Sequence, residues 1–469
     1  MTPRPLPEFT PGQLQAWTRG IWDAAPATSV RGVIQDTRIL KPGALYAALR
    51  GPVRDGHEFV REAQAAGAVA ALVANDWPRP DGFDLPLLRV PDTLKGLQDL
   101  ARGWRDECRD TCFIGITGSV GKTTTRCLLQ ALLGGLGPAG GTIGNLNNHI
   151  GLPLSLLAMP PGMKHAVFEI GMNHPGELQP LCDILRPRAA LLTNIGPVHI
   201  EFFDSIQGIA EEKATLLRAL PEDGFAVLDA ASPFFEYFKT QLKAGLVTAC
   251  LNPAKNPAAA ELKPDVMGAS KPPNLLKIRG IPEPLACPLP GRHGAFNLLL
   301  AATLAHRLGL PWDAMNDALK SFQLPEMRGQ SLKLRGRLII NDAYNANPVS
   351  VRAALESFAQ QTASAPGRRV IILGDMRELG RESERLHREL GCDLAQGACG
   401  SFDVLATVGH AAEWIADAYK KAGGAAQTLS FHETFSAAKD ILDWTREGDS
   451  ILLKGSRGIA LERLLEAFE

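Results

Sequence analysis

Short apolar runs alternate along the chain with longer segments in which apolar residues recur at helical spacing. The apolar runs cover residues 45–49, 87–90, 112–114, 166–168, 189–192, 338–340, 370–373, 404–408 and 451–453, and the helical segments include residues 58–68, 93–109, 125–133 and 294–308. Buried parallel strands read as continuous apolar runs, and the crossovers between them are usually helical. The pattern therefore predicts an α/β protein built on parallel sheets.

Two interruptions of this alternation predict three domains. The first boundary is placed near Arg109, before the strand that leads into a glycine-rich loop, and the second near Pro325. The predicted domains are a small α/β N-terminal domain at residues 1–109, a central parallel-sheet domain at 110–325 and a Rossmann-like, doubly wound C-terminal domain at 326–469. Residues 252–273, rich in Ala, Pro and Lys, are predicted to form a loop region or a small excursion. Ligands of a doubly wound domain are expected at the carboxyl ends of its strands.

Composition and charge narrow the classes of function. The chain has 469 residues with 49 Lys plus Arg and 50 Asp plus Glu, a net charge of −1, which argues against a broad nucleic-acid or anionic-membrane surface. The N-terminal residues lack a signal-peptide core, and no apolar stretch approaches the roughly 18 residues that cross a bilayer. The eight cysteines lack metal-type spacing. We expect a cytoplasmic protein with reduced thiols that neither binds nucleic acid nor inserts into a membrane.

The glycine-rich loop lies at residues 115–125, GITGSVGKTTT, between a predicted strand and a predicted helix. In that setting backbone N–H groups and the helix N-terminus bind phosphate. Lys122 can reach the terminal phosphates, and the Thr123 hydroxyl can bind Mg²⁺. The strict phosphate-loop pattern needs glycine where Ile116 stands, so the shorter form Thr-Gly-x-x-Gly-Lys-Thr is the one that fits. The loop predicts a central domain of the P-loop ATPase type; a plain turn between strand and helix is the alternative.

Polar residues that follow the central strands indicate metal and phosphate chemistry. Glu169 and His199 each come after an apolar run, and Lys213 lies in a Glu-Glu-Lys sequence on a predicted helix. Because the ends of parallel strands meet at one edge of a sheet, Glu169, His199 and the Thr123 hydroxyl can surround Mg²⁺ and phosphate. Taken singly, Glu169 also fits a helix cap, His199 a hydrogen-bonded loop residue and Lys213 a surface ion pair.

Two further polar runs are candidates for substrate contacts. Asn145, Asn147 and Asn148 lie between two helical segments, where they either shape turns or bind a polar substrate. Asp342 follows the strand at 338–340, where a carboxylate can hold the hydroxyl pair of a ribose or cap the turn into the next helix. Both interpretations of each run stay open at this point.

A series of motifs in chain order resembles the Mur ligase family. The motifs are TGSVGKTTT (117–125), TIGNLNNHIG (142–151), EIGMN (169–173) with GE (176–177), TNIGPVH (193–199), DAYNANP (342–348), GDMRELG (374–380) and KGSR (454–457). The N-terminal block matches as well, at residues 36–38, 48–51 and 55–59, so the resemblance covers nearly the whole chain. DAYNANP and GDMRELG are typical of the member that joins D-alanyl-D-alanine to UDP-N-acetylmuramoyl-tripeptide.

The resemblance implies an ATP-dependent acid–amino-acid ligase of peptidoglycan precursor synthesis, and so a role in cell wall biogenesis, cell shape and cell division. A substrate carboxylate would attack the γ-phosphate of ATP, and the amine of D-alanyl-D-alanine would displace phosphate from the acyl phosphate. ATP and Mg²⁺ are the expected cofactors, UDP-N-acetylmuramoyl-tripeptide and D-alanyl-D-alanine the expected partners, and a monomer the expected assembly. The third residue of the tripeptide stays open.

The resemblance also implies roles for individual residues. Those expected in catalysis are Lys122, Glu169, His199 and Lys213, and those expected at metal are Thr123, Glu169, His199 and Lys213, the last as a carbamate formed with CO₂. The residues expected to bind ATP are Gly118, Ser119, Val120, Gly121, Lys122, Thr123, Thr124, Asn297, Arg328, Asp342 and Asn345. The residues expected to bind the UDP-linked substrate are Thr37, Arg38, Gly51, Asn145, Asn147 and Asn148. The residues expected to bind the dipeptide are Asp375, Glu378 and Arg457.

Some positions depart from the family pattern, and other functions stay open. Gly294 follows His293 where Asn is usual, Asp204 stands where glycine is usual, and Thr215 where glutamate is usual. The alternatives are a folylpolyglutamate synthetase, a sister Mur ligase, and a nucleotide-binding scaffold with an inactive site. The N-terminal block argues against the folate enzymes, and the retained loop lysine and metal candidates argue against a scaffold. Because residues expected at ATP lie beyond the second boundary, we predict that the two outer domains move relative to the central one.

Overall fold

The computed structural model describes residues 6–272 and 274–468. It contains three α/β units that follow one another along the chain, each built on its own main sheet. Residues 1–5 and 469, at the outer ends of the first and last predicted domains, lie outside the described residues. None of the helices in the described parts of the chain is long and apolar enough to cross a lipid bilayer.

The N-terminal unit is a small mixed sheet with helices packed beside it. Its elements are β1 (Glu8–Phe9), α1 (Pro11–Thr18), β2 (Ile21–Trp22), β3 (Val30–Arg31), β4 (Val33–Ile34), β5 (Leu45–Ala47), α2 (Val60–Ala65), β6 (Ala70–Ala74), β7 (Leu87–Val90) and α3 (Thr93–Glu107). The sheet order is β2-β7-β6-β5-β4, with β2 antiparallel to β7 and the others parallel, while β1 pairs with β3. The helix predicted at 58–68 forms as a 3₁₀ turn, Gly56–Phe59, that continues into α2.

The central unit is a mostly parallel sheet, and the glycine-rich loop follows its third strand from one edge. Its elements are β8 (Cys112–Thr117), α4 (Lys122–Gly134), β9 (Ala139–Gly141), α5 (Gly151–Leu157), β10 (His165–Glu169), α6 (Leu178–Leu185), β11 (Ala189–Leu192), α7 (Ile206–Lys213), α8 (Thr215–Arg218), β12 (Phe225–Asp229), α9 (Phe235–Thr240), β13 (Gly245–Leu251), α10 (Pro257–Glu261), β14 (Val266–Lys271), β15 (Leu275–Ile278), β16 (Leu285–Ala286), α11 (Gly291–Arg307) and α12 (Met315–Leu319). The strand order is β16-β15-β14-β13-β12-β11-β8-β10-β9. Strands β9 to β14 are parallel with β8, and β15 and β16 add on antiparallel.

The prediction of a loop at residues 252–273 is wrong in part, because this segment contributes α10 and the strand β14. β14 pairs with β13 and β15 but is only half-buried along most of its length, so its sequence lacks the continuous apolar run of a central strand. Gly268 brings β14 close to α11: a Cβ there would lie 3.1 Å from Leu299. Pro273, the last residue of the predicted loop, lies outside the described residues.

The C-terminal unit is a second, Rossmann-like sheet. Its elements are β17 (Gln330–Leu334), β18 (Arg337–Asn341), α13 (Pro348–Gln361), β19 (Arg369–Gly374), α14 (Ser383–Ala395), β20 (Val404–Val408), α15 (Glu413–Lys421), β21 (Gln427–Phe431), α16 (Thr434–Trp444) and β22 (Ser450–Lys454). The strand order is β17-β18-β22-β19-β20-β21, parallel except for β17. Asn347 starts α13 with a capping box, followed by Pro348 at the first helical position. Short 3₁₀ segments complete the described chain at Thr37–Ile39, Gly56–Phe59, Ile200–Phe202, Pro253–Lys255, Trp312–Ala314, Gly380–Glu382, Arg457–Ile459 and Leu461–Phe468.

Helix α3 joins the N-terminal unit to the central unit through one continuous hydrophobic core. Buried residues of the N-terminal sheet and of the central sheet belong to the same cluster, and α3 lies between them. Trp104 of α3 packs edge-on against Phe9, with 5.3 Å between ring centroids, and its Nε1 donates to the Met159 carbonyl at 3.2 Å. We therefore expect the N-terminal and central units to unfold together.

Replacing Trp104 with alanine should test this shared core. A large buried aromatic lost from a core costs about 3–5 kcal/mol of unfolding free energy. Calorimetry of Trp104→Ala should show a single transition for both units, shifted to lower temperature. Ile21→Ala, at a site 70% exposed, is the control and should change the unfolding free energy little. A separate, lowered transition for the N-terminal unit alone would contradict the shared core.

Candidate active site

A cleft of about 510 Å³ lies between the central and C-terminal units, at the carboxyl ends of β8, β10 and β18. Sequence-predicted residues from both units line it: Ser119, Val120, Gly121, Lys122, Thr123, Thr124, Asn145, Asn147, Asn148, Glu169, His199, Asn297, Arg328, Asp342, Asn345 and Glu378. The other sequence-predicted residues are not among its described lining: Gly118, Lys213, Thr37, Arg38, Gly51, Asp375 and Arg457.

The glycine-rich loop has two positions that only glycine fits. Gly118 and Gly121 have φ angles of +147° and +85°. A Cβ on Gly118 would lie 1.9 Å from Thr193 Oγ1, and one on Gly121 would lie 2.7 Å from Asn297 Oδ1. The loop is therefore packed between the turn after β11 and helix α11, and its glycines allow that close approach.

Residues 193–196 hold the loop in place by hydrogen bonds. The Asn194 carbonyl accepts from the Ser119 N–H at 2.8 Å, and Asn194 Oδ1 accepts from the Val120 N–H at 2.9 Å. Thr193 Oγ1 donates to the Val120 carbonyl at 2.6 Å. The phosphate-binding donors left open are those of the first turn of α4, whose N–H groups have no acceptor within the helix. This bracing role of Thr193 and Asn194 could not be predicted from their motif, because the contacts are with a loop more than 70 residues earlier in the chain.

Lys122 is folded back onto its own loop. Its Nζ donates to the Gly118 carbonyl at 2.6 Å. Burial lowers the pKa of Lys122 to about 8; the charge of Glu169 opposes this shift, and the charge of Arg328 adds to it. The ammonium group thus lies at the loop that would hold a phosphate. Its present partners are backbone carbonyls, and a bound anion can take their place.

Glu169 is the centre of a buried hydrogen-bonded cluster. It ends β10, is 1% exposed, and accepts from Thr123 Oγ1 at its Oε2 over 2.9 Å. Its Oε1 accepts from Arg126 Nε over 2.7 Å, and Asn147 Nδ2 lies 3.5 Å from Oε2. A threonine hydroxyl and a carboxylate oxygen side by side are the hard oxygen ligands that Mg²⁺ prefers, so the predicted pair fits that cation.

Arg126 is a member of this cluster that the sequence analysis missed. It lies on α4, is 6% exposed, and donates from Nη1 to Gln130 Oε1 at 2.7 Å as well as to Glu169. The available signal was an arginine directly before the apolar residues of the helix that follows the loop. Because buried charges are almost always paired, a buried arginine at this position is expected to have an acidic partner.

His199 meets the C-terminal unit. Its Nδ1 lies 2.6 Å from Glu378 Oε2, and this contact holds the pKa of Glu378 below its usual value. Both residues have left-handed backbone, with φ of +54° and +64°, which is uncommon away from glycine. The strain at both positions accompanies a contact between two units of the fold.

Lys213 is buried rather than on the surface. It ends α7, is 1% exposed, and burial together with the charge of Lys122 holds its pKa well below the usual value. The alternative of a surface ion pair is wrong. Glu212 accepts from the N–H groups of Gly176 and Leu178, and Glu211 accepts from Gln207 Nε2, so both carboxylates have other partners.

The C-terminal side of the cleft is held by a second buried lysine. Lys454 Nζ lies 2.7 Å from Asp342 Oδ2 and donates to the Asn345 carbonyl at 2.8 Å, which fixes the turn after β18. Arg328 stacks over Tyr344, with its guanidinium carbon 4.0 Å from the ring centroid. Lys454 belongs to the KGSR motif, but its partners lie more than 100 residues away in the sequence, so this role had no local signal.

The unusual glycine at position 294 has a steric explanation. A Cβ on Gly294 would lie 2.6 Å from the Leu289 carbonyl oxygen, so the start of α11 has no room for a side chain as this chain folds. Asp204 is exposed, and Thr215 is buried and accepts from Arg218 Nη2 at 2.8 Å. Neither of these two departures places a charge in the described lining of the cleft.

The remaining sequence-predicted residues have partners within the protein. Thr37 Oγ1 donates to Glu62, Arg38 pairs with Asp36, and the Gly51 N–H donates to the Arg54 carbonyl, all in the N-terminal unit. In the C-terminal unit Asp375 Oδ1 accepts from the Ala412 N–H, and Arg457 pairs with Glu462. Asn148 Oδ1 accepts from the Gly151 N–H at the start of α5. Their binding roles stay predictions.

The braced glycine loop at a strand–helix junction, with a buried carboxylate beside its threonine, defines a P-loop nucleotide-binding α/β protein. Two family descriptions match this chain: Mur ligase middle domain at residues 116–305, and Mur ligase, glutamate ligase domain, at residues 327–457. The chain belongs to the Mur ligase family, as the sequence motifs indicated.

Named relatives and solved structures are similar to this chain along nearly its whole length. UDP-N-acetylmuramoyl-tripeptide–D-alanyl-D-alanine ligases of Bacillus subtilis and Escherichia coli are each 34% identical to it, over 94% and 93% of this chain and 93% of each relative. A crystal structure of MurF from Acinetobacter baumannii superposes with a TM-score of 0.85 at 29% identity, covering 99% of both chains. MurF ligase from Thermotoga maritima in complex with ADP superposes with a TM-score of 0.74 at 26% identity, covering 94% of this chain and 97% of that one.

Replacing Arg126 with methionine should test the buried cluster. Removing one partner of a buried ion pair leaves the other charge uncompensated and costs about 3–5 kcal/mol of unfolding free energy. Denaturant unfolding of Arg126→Met should show that loss, and Arg126→Met combined with Glu169→Gln should recover most of it. Arg385→Met, which removes two exposed ion pairs, with Glu382 and Glu389, should cost about 0–1 kcal/mol for each pair. Equal losses for Arg126→Met and Arg385→Met would contradict the cluster.

Proposed function

We propose that this chain is an ATP-dependent ligase that joins D-alanyl-D-alanine to UDP-N-acetylmuramoyl-tripeptide in peptidoglycan precursor synthesis, acting as a monomer in the cytoplasm. The observation that supports it best is the shared cleft, in which Lys122 and Thr123 of the central unit lie across from Asp342 and Arg328 of the C-terminal unit. The two relatives are named for this activity, and their similarity to this chain extends over nearly the full length of both proteins.

The reaction needs two anions brought together and a poor electrophile activated. The tripeptide carboxylate attacks the γ-phosphorus, the bond to ADP breaks, and an acyl phosphate forms. The dipeptide amine then attacks the carbonyl carbon, loses a proton and expels phosphate, which leaves the new amide. Lys122 and the N–H groups of the first turn of α4 stabilise the negative charge that builds on the transferred phosphoryl group. Arg328 and Asp342 hold the nucleotide from the opposite wall.

The cation chemistry is assigned to two sets of residues. Thr123 and Glu169 would hold Mg²⁺, and His199 with a carbamate on Lys213 would hold a second ion. When bound, Mg²⁺ neutralises charge between the phosphates and the attacking carboxylate. The carbamate forms when the neutral Lys213 Nζ attacks CO₂ and releases one proton, and burial of Lys213 supports this by favouring the neutral amine.

The other ligands are assigned by unit. The N-terminal unit, with Thr37, Arg38 and Gly51, would bind the UDP group, and Asn145, Asn147 and Asn148 the substrate portion that reaches the cleft. Asp375, Glu378 and Arg457 are the candidates for the dipeptide. The domain boundaries near residues 109 and 325 belong to this proposal, as do the finer ATP contacts of Asn297 and Asn345.

Phosphate release from ATP tests the proposed activity. We expect release only when both D-alanyl-D-alanine and UDP-N-acetylmuramoyl-tripeptide are present, with either common diamino acid as third residue tried in turn. Lys122→Ala should lower the rate by about 10²–10³-fold, since it removes a charge aimed at the reacting phosphate. Release that needs a single amino acid instead of the dipeptide would favour a sister ligase, and no release with any acceptor would favour a scaffold.

Substitutions of Lys213 test the carbamate. Lys213→Ala should be nearly inactive, and a short carboxylic acid in the medium should restore part of the rate by supplying the missing oxygens. Lys213→Arg keeps a positive charge but cannot form a carbamate, so it should fail. An active Lys213→Arg enzyme, or the absence of any rescue in a folded Lys213→Ala protein, would contradict the carbamate.

A further inference from the structure

Three consecutive residues of the central unit, His199, Ile200 and Glu201, each contact the C-terminal unit. His199 Nδ1 lies 2.6 Å from Glu378 Oε2. Ile200 packs against the hydrophobic core of the C-terminal unit, which includes Leu379. Glu201 lies against the backbone of Gly380. The segment 199–201 is therefore the place where the central unit is docked on residues 378–380.

Gly380 shows how closely the two segments approach. A Cβ there would lie 2.9 Å from Glu201 Cγ and 3.1 Å from Glu201 Cα, and the residue has a φ of +52°. Any side chain at this position would have to push the two units apart. The glycine that ends the GDMRELG motif therefore has a physical reason: it lets the loop that carries Glu378 reach His199.

A carboxylate on one ring nitrogen of a histidine fixes what the other nitrogen can do. It holds the ring orientation and keeps the proton on the contacted nitrogen, so the opposite nitrogen is the one free to bind a cation. Glu378 Oε2 lies 2.6 Å from His199 Nδ1 as an ion-pair contact, and Nδ1 forms no hydrogen bond with the described residues. With Nδ1 facing the carboxylate, Nε2 is left as the ligating atom of His199. That contact comes from a different unit of the fold than His199 itself.

We infer that Glu378 is a positioning residue that orients His199 across the boundary between the units, so that His199 is prepared to bind a cation only when the C-terminal unit is docked. The inference rests on the proposed function for its role in turnover. It assigns Glu378 to the cation site, whereas the family resemblance assigns it to the dipeptide. The two assignments predict different measurements.

The first experiment measures cation binding directly. Mn²⁺ is titrated, in the presence of ADP and bicarbonate, into the full-length protein and its Glu378→Gln and Glu378→Ala variants, and free Mn²⁺ is read by electron paramagnetic resonance. One class of Mn²⁺ sites should weaken about 10–100-fold, the usual effect of losing a carboxylate behind a ligating histidine. The matched control is Glu382→Gln, which changes a nearby carboxylate paired with Arg385, and it should bind as wild type does. Unchanged Mn²⁺ affinity in both Glu378 variants would overturn the inference.

The second experiment changes the position of Glu378 while leaving its side chain intact. Gly380→Ala leaves Glu378 and His199 intact but should weaken the same Mn²⁺ site by pushing the loop away. Gly397→Ala is the control, because Gly397 also has a positive φ, +71°, but has open space around it. If Gly380→Ala binds Mn²⁺ as Gly397→Ala does, docking does not control His199 and the inference is wrong.

Steady-state kinetics distinguish the two assignments of Glu378. The inference predicts that Glu378→Gln raises the Mg²⁺ concentration needed for half-maximal rate and leaves KM for D-alanyl-D-alanine nearly unchanged. A raised KM for the dipeptide with an unchanged Mg²⁺ requirement would overturn it in favour of dipeptide binding. The Mn²⁺ titrations do not depend on turnover. If the wild-type protein lacks ligase activity, the proposed function is refuted, and the titrations still decide whether Glu378 controls cation binding.

Discussion

The hydrogen bonds between the phosphate loop and residues 193–196 are the constraint on which the rest of this site depends. β8 lies between β10 and β11, and its register sets Ile116 beside Glu169 and Thr117 beside Leu192. The Glu169 carboxylate and the turn at residues 193–196 therefore lie on opposite sides of the phosphate loop. With the loop held from one side, the N–H groups that begin α4 stay free for a phosphate, and Glu169 can meet Thr123 from the other side.

The charges around that loop show why the site is costly to fold. Lys213 is buried with a depressed pKa, Arg126 is buried against Glu169, and Lys454 is buried against Asp342. Buried charged groups contribute little to net stability and are expensive when their partner is lost. Of these groups, Glu169, Asp342 and Lys454 line the cleft, which fits a site for binding anions, where a dry environment strengthens each electrostatic interaction.

Much of the fold could be predicted because buried parallel strands have an unambiguous apolar signature. The runs at 189–192 and 404–408 match β11 and β20 residue for residue. The prediction of a loop at 252–273 was wrong in part because β14, although paired on both sides, is half-exposed and lacks the continuous apolar run of a buried strand. Within the site, residues following a strand could be predicted, as Glu169 was, since strand ends converge. Lys213 looked like a surface residue from its acidic neighbours, and only the fold shows that Glu212 is turned to the N-terminus of α6 instead. Contacts between units, such as His199 with Glu378, have no local sequence signal at all.

In the proposed reaction, a carboxylate is activated on this loop as an acyl phosphate. The direct measurement uses UDP-N-acetylmuramoyl-tripeptide labelled with ¹⁸O in the reacting carboxylate, together with ATP and D-alanyl-D-alanine, and determines the isotope content of the released phosphate by mass spectrometry. We expect one ¹⁸O atom in each phosphate, because the oxygen that attacks the γ-phosphorus leaves with it when the amide forms. Released phosphate without ¹⁸O, accompanied by product formation, would contradict it.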